Sequence, residues 1–202
     1  QFSEATTFGS LIQPIIDTTQ ITEVRTAILA KDLDSQLFLK ATQEKVLKVL
    51  AQAEILQQRY HCVIANPPYM GGKGMNTVVK KFLLDNYKDY KSDLFAAFTV
   101  RSLSLAVPNG FLGFMTPFVW MFISSYEKLR QTLTMEATLT SLVQLEYSGF
   151  DGATVPICTF TLQNCSQPDF RGGFVRLSDF KGAAIQGPKT LEIIQEAKTA
   201  NA

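Results

Sequence analysis

A short apolar run that stops abruptly at two prolines constrains this chain more than any other stretch. The run Cys62-Val63-Ile64-Ala65 is followed at once by Asn66-Pro67-Pro68-Tyr69. Proline fixes φ and cannot donate to a central ladder, so this pattern predicts a β-strand that ends in a rigid loop. Residues that precede proline are also driven toward extended geometry. We therefore expect a fixed edge that displays the side-chain oxygen of Asn66, main-chain carbonyls and the ring of Tyr69.

Neutral acceptors beside an aromatic ring suit a planar group that carries an NH2. The lone pair of such a nitrogen is delocalised, and acceptors on its two N–H bonds stabilise the positive charge that develops when it attacks an electrophile. We expect the Asn66 side chain and the Pro67 carbonyl to supply these acceptors and Tyr69 to stack on the ring. A base inside a duplex cannot reach such a loop, so the nucleotide has to be flipped out.

The tetrapeptide after an apolar strand resembles the catalytic motif of amino-group methyltransferases, above all DNA adenine-N6 methylases. The longer string from Asn66 to Asn76, NPPYMGGKGMN, resembles the large PglX-type adenine methylases of bacterial BREX phage-defence systems. The resemblance implies S-adenosyl-L-methionine as cofactor and double-stranded DNA with a flipped adenine as partner. The implied role is restriction-modification or phage defence.

The resemblance also implies roles for individual residues. Asn66, Pro67, Pro68 and Tyr69 match the catalytic motif, and Pro68 matches a proline that packs on the cofactor's adenine. Phe98, in the segment Asp93-Leu94-Phe95-Ala96-Ala97-Phe98, matches the aromatic cofactor contact, and ordinary core packing is an equal alternative.

Phe150 matches the aromatic that stacks on the face of the flipped base opposite Tyr69. It lies between Gly149 and Asp151, where a large apolar side chain gains little from core packing. We therefore predict that this ring is exposed toward a ligand.

Apolar periodicity predicts an α/β fold that forms the C-terminal part of a Rossmann-like S-adenosylmethionine-dependent methyltransferase, a partial sheet with flanking helices. The expected divisions are a lead-in with a long helix over 1–59, the catalytic half over 60–165, and a linker with a further element over 166–202. Core strands are predicted at 60–65, 111–116, 138–147 and 154–163. Residues 1–19 are predicted as mostly loop, helices at 22–29, 36–59, 77–86, 93–106, 124–135 and 188–198, and one more strand at 171–177.

Composition fits one globular unit in a reducing cytoplasm. The chain has 202 residues, 46% of them hydrophobic, and a net charge of +1. The cysteines Cys62, Cys158 and Cys165 have no metal-ligand spacing, and we expect these thiols to be mostly buried. His61 is expected to be a packing or edge residue, and we expect no metal and no membrane contact.

Two features leave alternatives open. Gly71-Gly72-Lys73-Gly74 is either a mobile lid whose lysine touches a phosphate or a solvated connector. The tetrapeptide also fits protein glutamine N5-methylation, because an amide NH2 poses the same chemical problem. A non-catalytic, methylase-like binding module is a third reading.

A donor pocket normally needs a glycine-rich turn, and no Asp/Glu-x-x-x-Gly-x-Gly string is present in the sequence. In the adenine methylases this turn precedes the tetrapeptide, so we expect the chain to be the second half of a catalytic domain. Its partners would then include the rest of the parent chain, with the donor-binding half and a target-recognition domain.

We predict that the isolated chain neither binds the donor tightly nor methylates DNA. The measurement is transfer of tritium from labelled S-adenosylmethionine to duplex DNA. Robust turnover by the chain alone would contradict this expectation.

Overall fold

A computed structural model describes residues 2–32, 37–147 and 155–200. The chain divides into two compact units, Gln1–Arg59 and Tyr60–Ala202. The first unit is helical and the second contains the sheet. No helix within the described ranges is long and apolar enough to cross a membrane.

The first unit contains short helical turns followed by two longer helices. These are α1 (Ala5–Phe8) between 3-10 turns at Phe2–Glu4 and Gly9–Leu11, then α2 (Thr18–Leu29) and α3 (Leu37–Gln57). The prediction of mostly loop before residue 20 is therefore wrong for residues 2–11. The apolar side chains of Phe8 and Leu11 are buried on these turns, and Ile12 is buried directly after them on extended backbone.

Helix α2 begins four residues earlier than predicted because of a capping box. The Asp17 carboxylate accepts the Gln20 N–H at 2.8 Å, and the Gln20 side chain accepts the Asp17 N–H at 3.0 Å. The helix packs on α3 through a small cluster of buried residues, and Arg25 pairs with Glu54 at 2.5 Å. The cluster comprises Ile21, Leu50 and Ala53.

The second unit is built on a five-stranded mixed sheet, so the predicted α/β class is confirmed. Its strands are β1 (Tyr60–Ala65), β2 (Ala106–Pro117), β3 (Thr138–Gln144), β4 (Ile157–Gln163) and β5 (Gly173–Arg176). Their spatial order is β1-β2-β4-β3-β5. Strands β1 and β2 are parallel, β4 runs antiparallel to both β2 and β3, and β5 is parallel to β3.

The helices of this unit are α4 (Thr77–Asn86), α5 (Leu94–Leu105), α6 (Glu127–Met135) and α7 (Ala183–Ala200). One face of the sheet carries the main core, to which α5 and α6 contribute Phe95 and Leu129. On the opposite face the side chains of β1 and β2 are open, since Ile64 is 81% and Phe111 54% exposed. One sheet face is thus packed and the other is partly free.

Strand β2 starts five residues before the predicted strand and contains Pro108-Asn109-Gly110 as a bulge. The register with β1 shifts between the pairs Tyr60↔Ala106 and Cys62↔Phe111. Asn109 adopts a left-handed φ of 63°. A Cβ on Gly110 would lie 2.9 Å from the Val107 carbonyl oxygen, so only glycine fits here.

Other predicted boundaries also move. Strands β3 and β4 are shorter than predicted, and α7 begins five residues before Pro188. The helix predicted at 124–135 starts as a 3-10 turn at Ser124–Tyr126, and Tyr126 is the N-cap of α6 without a side-chain bond. The expectation of mostly buried thiols is wrong: Cys158 is buried, Cys165 is half-buried and Cys62 is exposed on the open sheet face.

Phe160→Ala is expected to lower the free energy of unfolding by about 3–5 kcal/mol, as for other large-to-small core changes. The Phe160 ring is 2% exposed and lies 5.2 Å from the rings of both Phe114 and Trp120. Trp120 is the only tryptophan, so urea denaturation followed by its fluorescence reports on this unit.

The matched control is Phe174→Ala, at an edge-strand ring that is 60% exposed. We expect this change to cost about 1 kcal/mol or less. Equal costs for the two substitutions would contradict the assignment of Phe160 to the core.

Candidate active site at the end of the first strand

Strand β1 carries the tetrapeptide to the edge of the sheet. Its last ladder pair joins Ala65 to Phe114 of β2, and the chain then leaves the ladder. The two prolines that follow have no N–H with which to continue the pairing. Pro67 is buried, whereas Asn66 and Pro68 are exposed. The Asn66 amide is therefore accessible from solvent rather than turned into the core.

Tyr69 returns toward the strand end and contacts Asn66 directly. Its hydroxyl group donates to Asn66 Oδ1 at 2.7 Å, and the Met115 carbonyl oxygen of β2 lies 3.1 Å from the same hydroxyl. The sequence grouped Asn66 with Tyr69 but did not predict this bond. In this structure the acceptor that was expected to face a substrate amino group is occupied by an internal donor.

Burial makes the Tyr69 hydroxyl group still harder to ionise than that of an ordinary tyrosine. The half-buried position raises the pKa of Tyr69, and the neighbouring Cys158 thiol raises it further. Burial also raises the pKa of Cys158, to about 11, against the opposing effect of its contact with the Thr116 hydroxyl. Tyr69 is therefore a neutral hydrogen-bond donor at neutral pH, and it is not a candidate base.

A cavity of about 330 Å³ lies over the open face of the sheet, beside Asn66. It is lined by Asn66 and by residues of four strands, which include Met115, Ser141, Thr159 and Thr161. The hydroxyl oxygens of Ser141 and Thr161 lie 2.6 Å apart, so part of the wall is polar and internally bonded. The cavity volume is within the usual range for small-molecule sites.

The segment after the tetrapeptide is an anchored turn. The Gly74 N–H donates to the Gly71 carbonyl at 2.9 Å, and Met75 is buried directly after the turn. Asn76 then caps α4 by accepting the Val79 N–H at 2.8 Å. Lys73 is exposed at the tip of the turn. A lid role for this segment stays a prediction.

Helix α5 begins beside the same loop. Its N-cap residue Asp93 accepts the N–H of Met70, the residue after Tyr69, at 2.9 Å. The sequence identified Asp93 only as a helix start, because its N-cap signal carries no information on a partner 23 residues away. Phe98 lies one turn along this helix and is half-buried, which leaves part of its ring accessible.

Phe150, the proposed second stacking ring, lies outside the described residues. The structure therefore brings Asn66 and Tyr69 together and gives no position for a partner ring. Within the ranges 2–32, 37–147 and 155–200, no group of three or more His, Cys, Asp or Glu residues could hold a metal ion.

Comparison with known proteins yields one matching family and several relatives. The Eco57I restriction-modification methylase family matches residues 6–150. The adenine-specific methyltransferase BrxX of Escherichia coli O9:H4 (strain HS) is 36% identical over 182 residues, which cover 88% of this chain and 15% of that protein. The adenine-specific methyltransferase PglX of Lacticaseibacillus casei (strain Zhang) is 29% identical over 171 residues, which cover 79% of this chain and 14% of that protein.

A solved methyltransferase subunit of a type I restriction-modification system from Streptococcus thermophilus aligns with a TM-score of 0.47 at 20% identity. The alignment covers 62% of this chain and 28% of that one. The chain spans about a seventh of the length of the relatives BrxX and PglX.

The Cys158 thiol, which neighbours Tyr69, is expected to resist alkylation in the folded chain. It is 0% exposed, and its pKa of about 11 leaves on the order of one thiolate in a thousand at pH 8. A Cys62→Ser/Cys165→Ser variant makes Cys158 the sole thiol. We expect no labelling by iodoacetamide in buffer and complete labelling in denaturant. Rapid labelling of the native variant would contradict this burial.

Proposed function

Because this chain belongs to the Eco57I restriction-modification methylase family, we propose that its protein transfers a methyl group from S-adenosyl-L-methionine to N6 of adenine in DNA. The observation that carries the proposal is the exposed Asn66 acceptor at the end of β1, with the Tyr69 hydroxyl 2.7 Å from it. The relatives BrxX and PglX, named as adenine-specific methyltransferases, support the choice of adenine.

In the proposed reaction Asn66 Oδ1 and the Pro67 carbonyl accept the two N–H bonds of the adenine amino group. The nitrogen lone pair forms a bond to the methyl carbon while the carbon–sulfur bond of the donor breaks, and the methylated nitrogen then loses one proton to solvent. The acceptors stabilise the positive charge that develops on nitrogen. This charge stabilisation replaces a strong base, which suits a site whose tyrosine is held in its neutral form.

Entry of the base requires an exchange of donors at Asn66. A base N–H replaces the Tyr69 O–H at Oδ1, and the displaced hydroxyl turns fully to the Met115 carbonyl, which already lies 3.1 Å away. Since a second acceptor is in place, the half-buried hydroxyl is not left unsatisfied. The Tyr69 ring then stacks on one face of the base, and we assign the opposite face to Phe150.

Pro68 and Phe98 are the residues of this chain that we assign to the cofactor. The exposed proline and the half-buried aromatic ring offer apolar surface that suits a purine. The bound cofactor supplies an electrophilic methyl group.

Local positive charge after the tetrapeptide supports DNA as the partner. Residues 73–91 contain five exposed lysines and two aspartates, although the whole chain has a net charge of only +1. Within the part of the chain that the structure describes, none of these lysines forms an ion pair. Lysines are the usual phosphate contacts of DNA-binding proteins. The five are Lys73, Lys80, Lys81, Lys88 and Lys91.

We assign residues 60–165 to the catalytic half and the donor-binding half to further segments of the intact protein, since the chain spans 15% of BrxX. Two features of the sheet support such a partner. Strand β1 is an edge strand in the described sheet, and Ile64 and Phe111 expose apolar surface beside it. Residues 1–59 are then the lead-in, and 166–202 the start of a further element.

The direct test uses the intact protein with tritiated S-adenosylmethionine and duplex DNA. We expect label in N6-methyladenine, identified by mass spectrometry of the digested DNA. A glutamine-containing release-factor peptide is the comparison substrate, because the tetrapeptide also suits an amide NH2. Label in the peptide and not in DNA would overturn the proposal, as would an inactive intact protein.

Substitution of Tyr69 in the intact protein separates the ring from the hydroxyl group. Tyr69→Ala is expected to lower turnover about 10- to 100-fold, since base stacking contributes about 1–3 kcal/mol. Tyr69→Phe keeps the ring and should stay within about threefold of wild type. Donor affinity, measured by calorimetry, should be largely unchanged in both. Unchanged turnover of Tyr69→Ala would contradict the stacking role.

A further inference from the structure

One side chain that has no role in the proposed reaction, Asp93, joins the loop after Tyr69 to the start of α5. Asp93 Oδ1 accepts the Met70 N–H at 2.9 Å and the Phe95 N–H at 3.2 Å. One carboxylate oxygen therefore caps its own helix and holds a backbone amide 23 residues earlier in the chain. An ordinary N-cap residue caps its own helix and makes no bond to a distant backbone amide.

Main-chain contacts close the same junction. The Leu94 N–H donates to the Met70 carbonyl at 3.2 Å, and Gly71 and Asp93 form an isolated antiparallel bridge. A Cβ on Gly71 would lie 3.5 Å from Asp93 Oδ2, so the loop passes close to the carboxylate. Met70 is thus held through both its N–H and its carbonyl, directly after the Tyr69 ring.

The Asp93 carboxylate is partly desolvated at this junction. Burial raises the pKa of Asp93, whereas the N–H groups of Met70, Phe95 and Leu94 lower it. The Asp93 charge adds to burial in raising the pKa of Tyr126, to about 12.

We propose that Asp93 is a positioning residue for methyl transfer. By fixing Met70 it holds the Tyr69 ring and the Asn66 acceptor at the strand end. Because the same side chain begins α5, it also sets the base-binding loop relative to the helix that carries Phe98. The inference rests on the proposed function, since Asn66, Tyr69 and Phe98 have their roles only there.

Three variants of the intact protein separate the loop contact from the helix cap. Asp93→Ala removes both contacts. Asp93→Ser keeps a good N-cap on a side chain too short to reach Met70, and it serves as the variant that preserves the fold. Asp93→Asn keeps the acceptor oxygen without the charge. The matched control is Asn76→Ala, which removes the N-cap of α4 after the same loop and makes no contact with Met70 through its side-chain acceptor.

We expect Asp93→Ala and Asp93→Ser to lower kcat on duplex DNA about 100-fold, the usual cost of misplacing reacting groups by an ångström. Donor affinity by calorimetry should stay within about threefold, so the loss falls on kcat and not on cofactor binding. Asp93→Asn should restore kcat to within about fivefold of wild type, and Asn76→Ala should stay within about threefold.

Hydrogen exchange supplies a readout that does not depend on activity. The Met70 amide should exchange faster in Asp93→Ala and Asp93→Ser, and at the wild-type rate in Asp93→Asn and Asn76→Ala. Equal behaviour of Asp93→Ser and Asn76→Ala in kcat and exchange would overturn the proposal, as would failure of Asp93→Asn to restore kcat. An inactive wild-type protein would instead contradict the proposed function, while the exchange rates would still decide whether Asp93 holds the loop.

Discussion

The junction of two parallel strand ends determines the geometry of this site. Strand β1 leaves the ladder after Ala65 because the two prolines cannot continue it, whereas β2 runs on to Pro117. The β2 backbone beyond the last shared pair therefore keeps a carbonyl, that of Met115, within 3.1 Å of the Tyr69 hydroxyl. Because β1 stops at Ala65, the rest of β2 has no ladder hydrogen bonds on that side in the described sheet. The consequence is an exposed amide at Asn66, held beside a rigid sheet edge.

Local sequence patterns predicted the elements whose ends are set locally. Strand β1 and helix α4 have the predicted bounds, because prolines end one and Asn76 caps the other. Boundaries that depend on distant partners were missed. Strand β2 begins early because its bulge packs Gly110 against the β1 backbone, and nothing in the Pro108-Asn109-Gly110 string indicates that neighbour. The exposure of Cys62 was missed for a similar reason, since an apolar strand is read as buried on both faces.

In the candidate site, too, the sequence predicted the features that are set locally and missed those that depend on distant residues. A tetrapeptide was sufficient to single out Asn66 and Tyr69, because acceptors, prolines and a ring stand next to each other in the chain. The hydrogen bond between these two side chains depends on how the loop turns after Pro68, which residue types alone do not define. The contact from Asp93 to Met70 spans 23 residues and leaves no periodic signal. Hydrogen bonds between particular atoms of distant residues are thus the part of a site that a single sequence does not predict.

The placement of Tyr69 between two hydrophobic clusters explains how one side chain can be both rigid and available. Its ring packs partly against the main core under α5 and α6, and partly against the cluster around Leu145, Ile157 and Leu177. Packing on two sides restricts the rotamers of Tyr69 in the free protein, so the base stacking that we propose would cost little further side-chain entropy. The hydroxyl keeps two acceptors, one of which Asn66 supplies. In the proposed reaction a ligand N–H can therefore displace the hydrogen bond at Asn66 without moving the ring, because the packing, the Met115 carbonyl and the contacts of Asp93 with Met70 hold Tyr69 independently of that bond.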